Sequence, residues 1–118
     1  MKYMLLLYGN TADVPTDLTP EQQQAAFQEW MSYEREAKAA GILIAYNGLL
    51  PTASATTVRV RGDEAFITDG PFAETHETLG GFYMIDVPDL DEALKWAKKV
   101  PSAKYGSIEV RPLWSPQA

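Results

Sequence analysis

Two segments of this sequence, Lys2 to Tyr8 and Phe82 to Val87, are apolar at nearly every position instead of at every second one. Successive side chains of a strand point to opposite faces, so a run of this kind has no wet side. Each segment is therefore read as a strand buried on both faces, the sort that occupies the middle of a sheet. Everything else in the chain has to supply cover for those two strands.

Helical cover is scarce. Thr19-Pro20-Glu21-Gln22 carries a helix start, with Thr19 as cap, Pro20 at the first helical position and Gln22 where a capping box needs it. Ala26, Phe27, Trp30, Met31, Glu34 and Ala37 follow at three-and-four spacing, and Gly41 closes the helix. This predicts an apolar stripe packed on a sheet, with Phe27 and Trp30 in the core. A second helix starts at Pro88-Asp89-Leu90-Asp91-Glu92, capped by Asp89, buries Ala93, Trp96, Ala97 and Val100, and ends at Pro101.

The remaining strands are plainer. Ile42 to Tyr46 reads as a strand, and Ser107 to Arg111 as a last one with Ile108 and Val110 inward, after which Pro112 begins a tail. Thr56 to Arg61 alternates, Gly62-Asp63 makes a two-residue turn, and Glu64 to Thr68 returns, which is an inserted hairpin. Asn10 to Leu18, containing Pro15, is a surface loop. The order is strand, helix, strand, hairpin, strand, helix, strand: an α+β, ferredoxin-like βαββαβ chain with an inserted β-hairpin. At 118 residues it fills one domain, 1–118.

Right-handed crossovers put both helices on one face of the main sheet. The other face stays bare, although each large side chain buried there is worth about 1.5–3 kcal/mol. A second copy in a two-fold homodimer is the simplest cover.

Charge and composition narrow the function. Sixteen acidic against ten basic residues give a net charge of -6, which repels phosphate backbones and anionic headgroups, so nucleic acid and membrane surfaces are disfavoured as partners. Lys95, Lys98, Lys99 and Lys104 form the one basic concentration, read as a solvated helix end. With no cysteine there is no disulfide framework, thiolate nucleophile or cysteine-held metal. No stretch has the length of a membrane span or the shape of a signal peptide, and a cytoplasmic location is expected.

Chemistry concentrates in Asp69-Gly70-Pro71-Phe72-Ala73-Glu74-Thr75-His76-Glu77, which neither strand nor helix periodicity explains. It holds the single histidine. An imidazole among carboxylates has the parts of an acid-base pair, so His76 with Asp69 is the candidate catalytic pair. A structural reading competes, in which Asp-Gly-Pro shapes a strand exit and Phe72 plugs an apolar gap. Tyr8 and Tyr46, closing their strands, are candidate substrate contacts together with Phe72 and Glu77. Arg59 and Arg61 share a strand face turned to solvent, and Gly80-Gly81 permits a close backbone approach. No metal is expected, because one histidine and scattered carboxylates match no ligand spacing. The absence of any GxGxxG, Walker or GxSxG pattern agrees with an expectation of no cofactor.

The segment from Asp69 to Glu77, followed by Leu79-Gly80-Gly81-Phe82, resembles the DGPF branch of the YCII-related (YciI-like) family. The resemblance runs from Met1-Lys2-Tyr3-Met4-Leu5-Leu6 through Thr56-Thr57-Val58-Arg59 and Asp89-Leu90-Asp91-Glu92-Ala93 to Ile108-Glu109-Val110-Arg111-Pro112. It implies a dimeric α+β barrel, and a cleft where a small molecule is bound or transformed by lyase- or isomerase-like acid-base chemistry. It also implies the alternative of a non-catalytic ligand-sensing or protein-interaction module partnered by an extracytoplasmic-function sigma factor. Two positions depart from the family: His76 stands where lysine is usual, and Pro20-Glu21-Gln22-Gln23-Gln24 lacks the histidine that YciI-like members carry after that proline.

Overall fold

The computed structural model describes residues 1–10 and 17–116. Its elements are β1 (Lys2–Gly9), α1 (Pro20–Ala39), β2 (Leu43–Gly48), β3 (Thr56–Arg61), β4 (Glu64–Asp69), β5 (Thr78–Asp86), α2 (Leu90–Lys98) and β6 (Ser107–Pro112). Short 3-10 turns at Thr52–Ser54 and Pro101–Lys104 join them. The main sheet is antiparallel in the order β2-β5-β1-β6, which is the ferredoxin-like arrangement, and β3 with β4 forms a separate two-stranded ribbon. The expected loop around Pro15 falls mostly outside the described residues.

The two doubly apolar strands lie side by side at the centre, as their composition requires. Tyr3, Leu5, Tyr83 and Ile85 point to the helices and are buried with Tyr33 and Ala37 of α1 and Ala93, Trp96 and Ala97 of α2. The register pairs Leu5 with Tyr83 on that face, and Met4 with Met84 and Leu6 with Phe82 on the other. Met4, Leu6, Phe82 and Met84 are only half-buried, because among the described residues no element crosses that second face. Glu109 and Arg111 of β6 form an ion pair along its border.

Local chemistry explains the element ends. The α1 capping box is formed in both directions: Gln22 N–H donates to Thr19 Oγ1 at 3.1 Å, and Thr19 N–H donates to Gln22 Oε1 at 2.9 Å. Asp89 accepts from Glu92 N–H at 3.0 Å and so starts α2. Lys99 and Lys104 of the basic concentration are paired to Glu36 and Glu29 of α1 at the exposed surface.

Two expectations need correction. Phe27 is 56% exposed and Met31 also faces outward; the buried side of α1 runs instead through Tyr33 and Ala37, with Trp30 and Glu34 half-buried beside them. Trp30, Glu34 and Ala37 of the expected stripe thus keep their place on the buried side, while Phe27 and Met31 leave it and Tyr33 joins it. Strand β5 begins at Thr78, four residues before the apolar run, and a register shift at Gly80 lets Tyr8 pair with Leu79. At Gly81 a Cβ would stand 2.9 Å from the Asn47 carbonyl oxygen, so the close approach anticipated there is to strand β2.

Replacing Leu5, fully buried beneath both helices, by alanine is expected to lower stability by about 2–5 kcal/mol in urea unfolding. Gly81→Ala is expected to destabilise as well, through the clash with Asn47, and an unchanged midpoint for either variant would contradict this packing.

Candidate functional site

Where β1 ends and β5 begins, two cavities of about 280 and 300 Å³ open side by side, sharing Leu7, Trp30 and Gly80 as walls. The first lies between α1 and the β2-β5 edge and is lined by Trp30, Glu34, Tyr46 and Tyr83. The second continues toward the mouth past Tyr8, Leu50, Thr52, Thr78 and Tyr105. Together they make a largely apolar cleft whose inner part holds a single carboxylate.

Tyr83 organises that inner part. Its ring lies nearly parallel to those of Trp30 and Tyr46, with centroids 6.4 and 5.6 Å away, and Tyr33 meets it edge-on at 5.1 Å. Such contacts add about 0.5–1.5 kcal/mol each beyond burial and lock the rings in place. The Tyr83 hydroxyl donates to Glu34 Oε1 at 3.1 Å. Among the described residues no other hydrogen bond holds the Glu34 carboxylate, and Glu34 lines the inner cavity. Lys38, one helical turn beyond Glu34, places its ammonium over the Tyr46 ring at 5.2 Å.

Burial, then the Glu34 charge, holds the Tyr83 hydroxyl far above the ordinary tyrosine value. Burial, reinforced by Glu36, does the same for Tyr33, whose hydroxyl donates to the Trp96 carbonyl at 3.0 Å. Both phenols therefore stay protonated and act as donors throughout the physiological range.

The structure divides the sequence candidates into two groups. Tyr8 and Tyr46 line the cleft. Asp69, Phe72, His76 and Glu77 do not; they belong to the ribbon end and the loop beyond it. That loop is pinned from beneath: Gly70, at φ 95°, donates its N–H to the Ala55 carbonyl at 2.6 Å. The Thr57 hydroxyl donates to the Gly70 carbonyl at 2.8 Å, and Arg59, instead of facing only solvent, donates to the Phe72 carbonyl at 3.2 Å. Phe72 is 76% exposed and plugs no gap within the chain. His76 is exposed, and no hydrogen bond or ion pair joins it to Asp69, Glu74 or Glu77. The loop does flank the cleft, because Thr52 and Thr78 wall both the second cavity and a third one beneath Gly70 and Glu74.

Sequence reasoning missed Glu34, Trp30 and Tyr83 as site residues. The signal was present for one of them: Glu34 stands inside the apolar stripe of α1, where a carboxylate without purpose is disfavoured. Among the described residues no three His, Asp or Glu side chains gather as a metal site. No helix among them is long and apolar enough to cross a membrane.

A pH prediction follows from the two phenols. Above pH 10.0, the ordinary tyrosine value, an unfolded chain releases protons that the folded chain keeps. The contribution of these two phenols to stability is therefore constant through neutral pH and is lost as pH climbs beyond about 10. In urea unfolding at stepped pH, Tyr83→Phe should show a shallower fall; an identical slope in the variant would contradict the assignment.

A model of the YCII-related domain matches residues 1–116. An uncharacterised protein of Rhizobium meliloti (strain 1021) is 40% identical over 115 residues, covering 96% of this chain and 92% of that protein. Among solved structures, 5-chloro-2-hydroxyhydroquinone dehydrochlorinase from Burkholderia phenoliruptrix AC1100, in complex with 2,5-dihydroxybenzoquinone, superposes with a TM-score of 0.55 at 11% identity. That match covers 99% of this chain and 97% of the other, and at this identity it speaks to the fold.

Proposed function

Because the chain belongs to the YCII-related domain family, we propose that it binds a small planar molecule in the aromatic cleft and transforms it by acid-base chemistry, as a homodimer. The observation that carries this reading is Glu34: one carboxylate, held by the Tyr83 hydroxyl at 3.1 Å, on the wall of a largely apolar cavity of about 280 Å³. Flat rings at Trp30 and Tyr46 favour a flat ligand, and a volume of that size suits a single ring with a few polar substituents. The dehydrochlorinase that shares the fold holds a quinone, which suggests hydroxylated aromatic or quinoid compounds as the first class to test.

In this proposal the second oxygen of Glu34 accepts a proton from a ligand carbon or hydroxyl. Tyr83 steadies the carboxylate from its other side and, remaining protonated, donates throughout. The proton is then returned at a neighbouring atom in an isomerisation, or lost to water after a leaving group departs in a lyase reaction. Tyr8, at the outer wall, would meet the ligand's far end. His76 and Asp69, on the loop flanking the mouth, would act only on the solvent-facing end of a bound molecule, and Phe72 and Glu77 would cover it.

Titration with 2,5-dihydroxybenzoquinone, followed by tryptophan fluorescence, is the direct test. Quenching is expected, and Tyr46→Ala should weaken binding by at least about tenfold, the loss of one stacked ring. Across a panel of hydroxylated aromatics and lactones, Glu34→Gln should reduce turnover by about 10²–10⁴-fold while His76→Ala changes it far less. Equal losses in both variants would shift the proton chemistry to the loop. Binding with no turnover by the unaltered protein would favour the ligand-sensing role.

A further inference from the structure

The ribbon of β3 and β4 is too apolar for where it stands. Cross-strand pairing of Val58 with Ile67 and Val60 with Ala65 gathers these four side chains on one face. Val58, Val60 and Ile67 are 60%, 59% and 70% exposed. The opposite face is the one that turns to the loop, since Thr57 and Arg59 reach from it to the Gly70 and Phe72 carbonyls. The apolar face is therefore left uncovered, and among the described residues β3 and β4 pair only with each other. A two-stranded ribbon is marginal in water on its own.

The shape of the whole chain measures what is missing. The radius of gyration is 16.7 Å, against about 13.5 Å for a compact domain of this length. The accessible surface is 8445 Å², against about 6,400 Å² for a compact monomer of 13.1 kDa, an excess of roughly 2,000 Å². Two chains each hiding that excess would bury about 4,000 Å², inside the range of obligate homodimers.

We propose that the β3-β4 ribbon is an arm that lays its Val58-Val60-Ala65-Ile67 face on a second copy of this chain, continuing the contact made by the open sheet face of Met4, Leu6, Phe82 and Met84. The open sheet face accounts for part of the excess and the arm for the rest. The arm is joined to β2 through Leu49, Leu50 and Pro51 and to β5 through the loop at Gly70, and Thr52 and Thr78 at its base wall the cleft mouth. Seating the arm on the partner sets the position of that wall, so the cleft takes its final form only in the pair.

The test reads association alone, so its outcome is independent of the proposed chemistry. In sedimentation velocity, the double variant Val58→Asp, Ile67→Asp should weaken self-association by at least about 100-fold, while Arg61→Asp on the opposite face should leave it within about threefold. The main sheet and helices lie outside the arm, and an unchanged far-ultraviolet circular dichroism spectrum verifies that the body is folded. Wild-type association by the double variant overturns the proposal. Because the chain lacks cysteine, a second measurement is direct: Val60→Cys carrying a benzophenone label is irradiated in a mixture of ¹⁵N-labelled and unlabelled chains. Cross-linked peptides of mixed isotope support the arm, and links confined to single chains refute it.

Discussion

The fold depends on a surplus of apolar side chains in β1 and β5. Leu5 and Ile85 on one face and Leu6 and Phe82 on the other cannot all be satisfied by two helices, so the chain spends α1 and α2 on the first face and leaves the second open. Antiparallel sheets ordinarily alternate between dry and wet faces. Here both faces call for cover, and the ribbon, equally apolar on its uncovered side, extends the same demand beyond the sheet's end.

The candidate site arises where that sheet meets α1. Tyr83 belongs to the core by its ring and to the cleft by its hydroxyl, so the residue that packs Trp30, Tyr33 and Tyr46 together also holds Glu34 in place. A rigid aromatic floor with one steadied carboxylate is positioned by packing alone, with no loop needed to bring it into register. The loop from Gly70 to Glu77 has a different part: its backbone is tied to β3, and it borders the mouth.

Much of the architecture was legible because single residues settled it. The box of Thr19 and Gln22 starts α1, Asp89 starts α2, and the alternation from Thr56 to Arg61 marks the ribbon, all as local chemistry demands. The place of Tyr33 on the buried side of α1 was not legible, since Phe27 outranks Tyr33 in hydrophobicity while only the tyrosine fits between Tyr83 and Trp96 with its hydroxyl satisfied. Glu34 was visible as the polar member of the α1 stripe, but its partner Tyr83 on β5 was not. Asp69 and His76 stand out in sequence because their segment fits no strand or helix period and holds the one histidine, whereas the inner cleft draws its residues from β1, α1, β2 and β5, which only folding brings together.

Sedimentation equilibrium of the unaltered protein at low micromolar concentration bears most directly on the idea that the bare face belongs to an interface. The account predicts a single species of about twice the 13.1 kDa chain mass. A stable species of the chain mass alone, with Leu6 and Phe82 left to water, would contradict it.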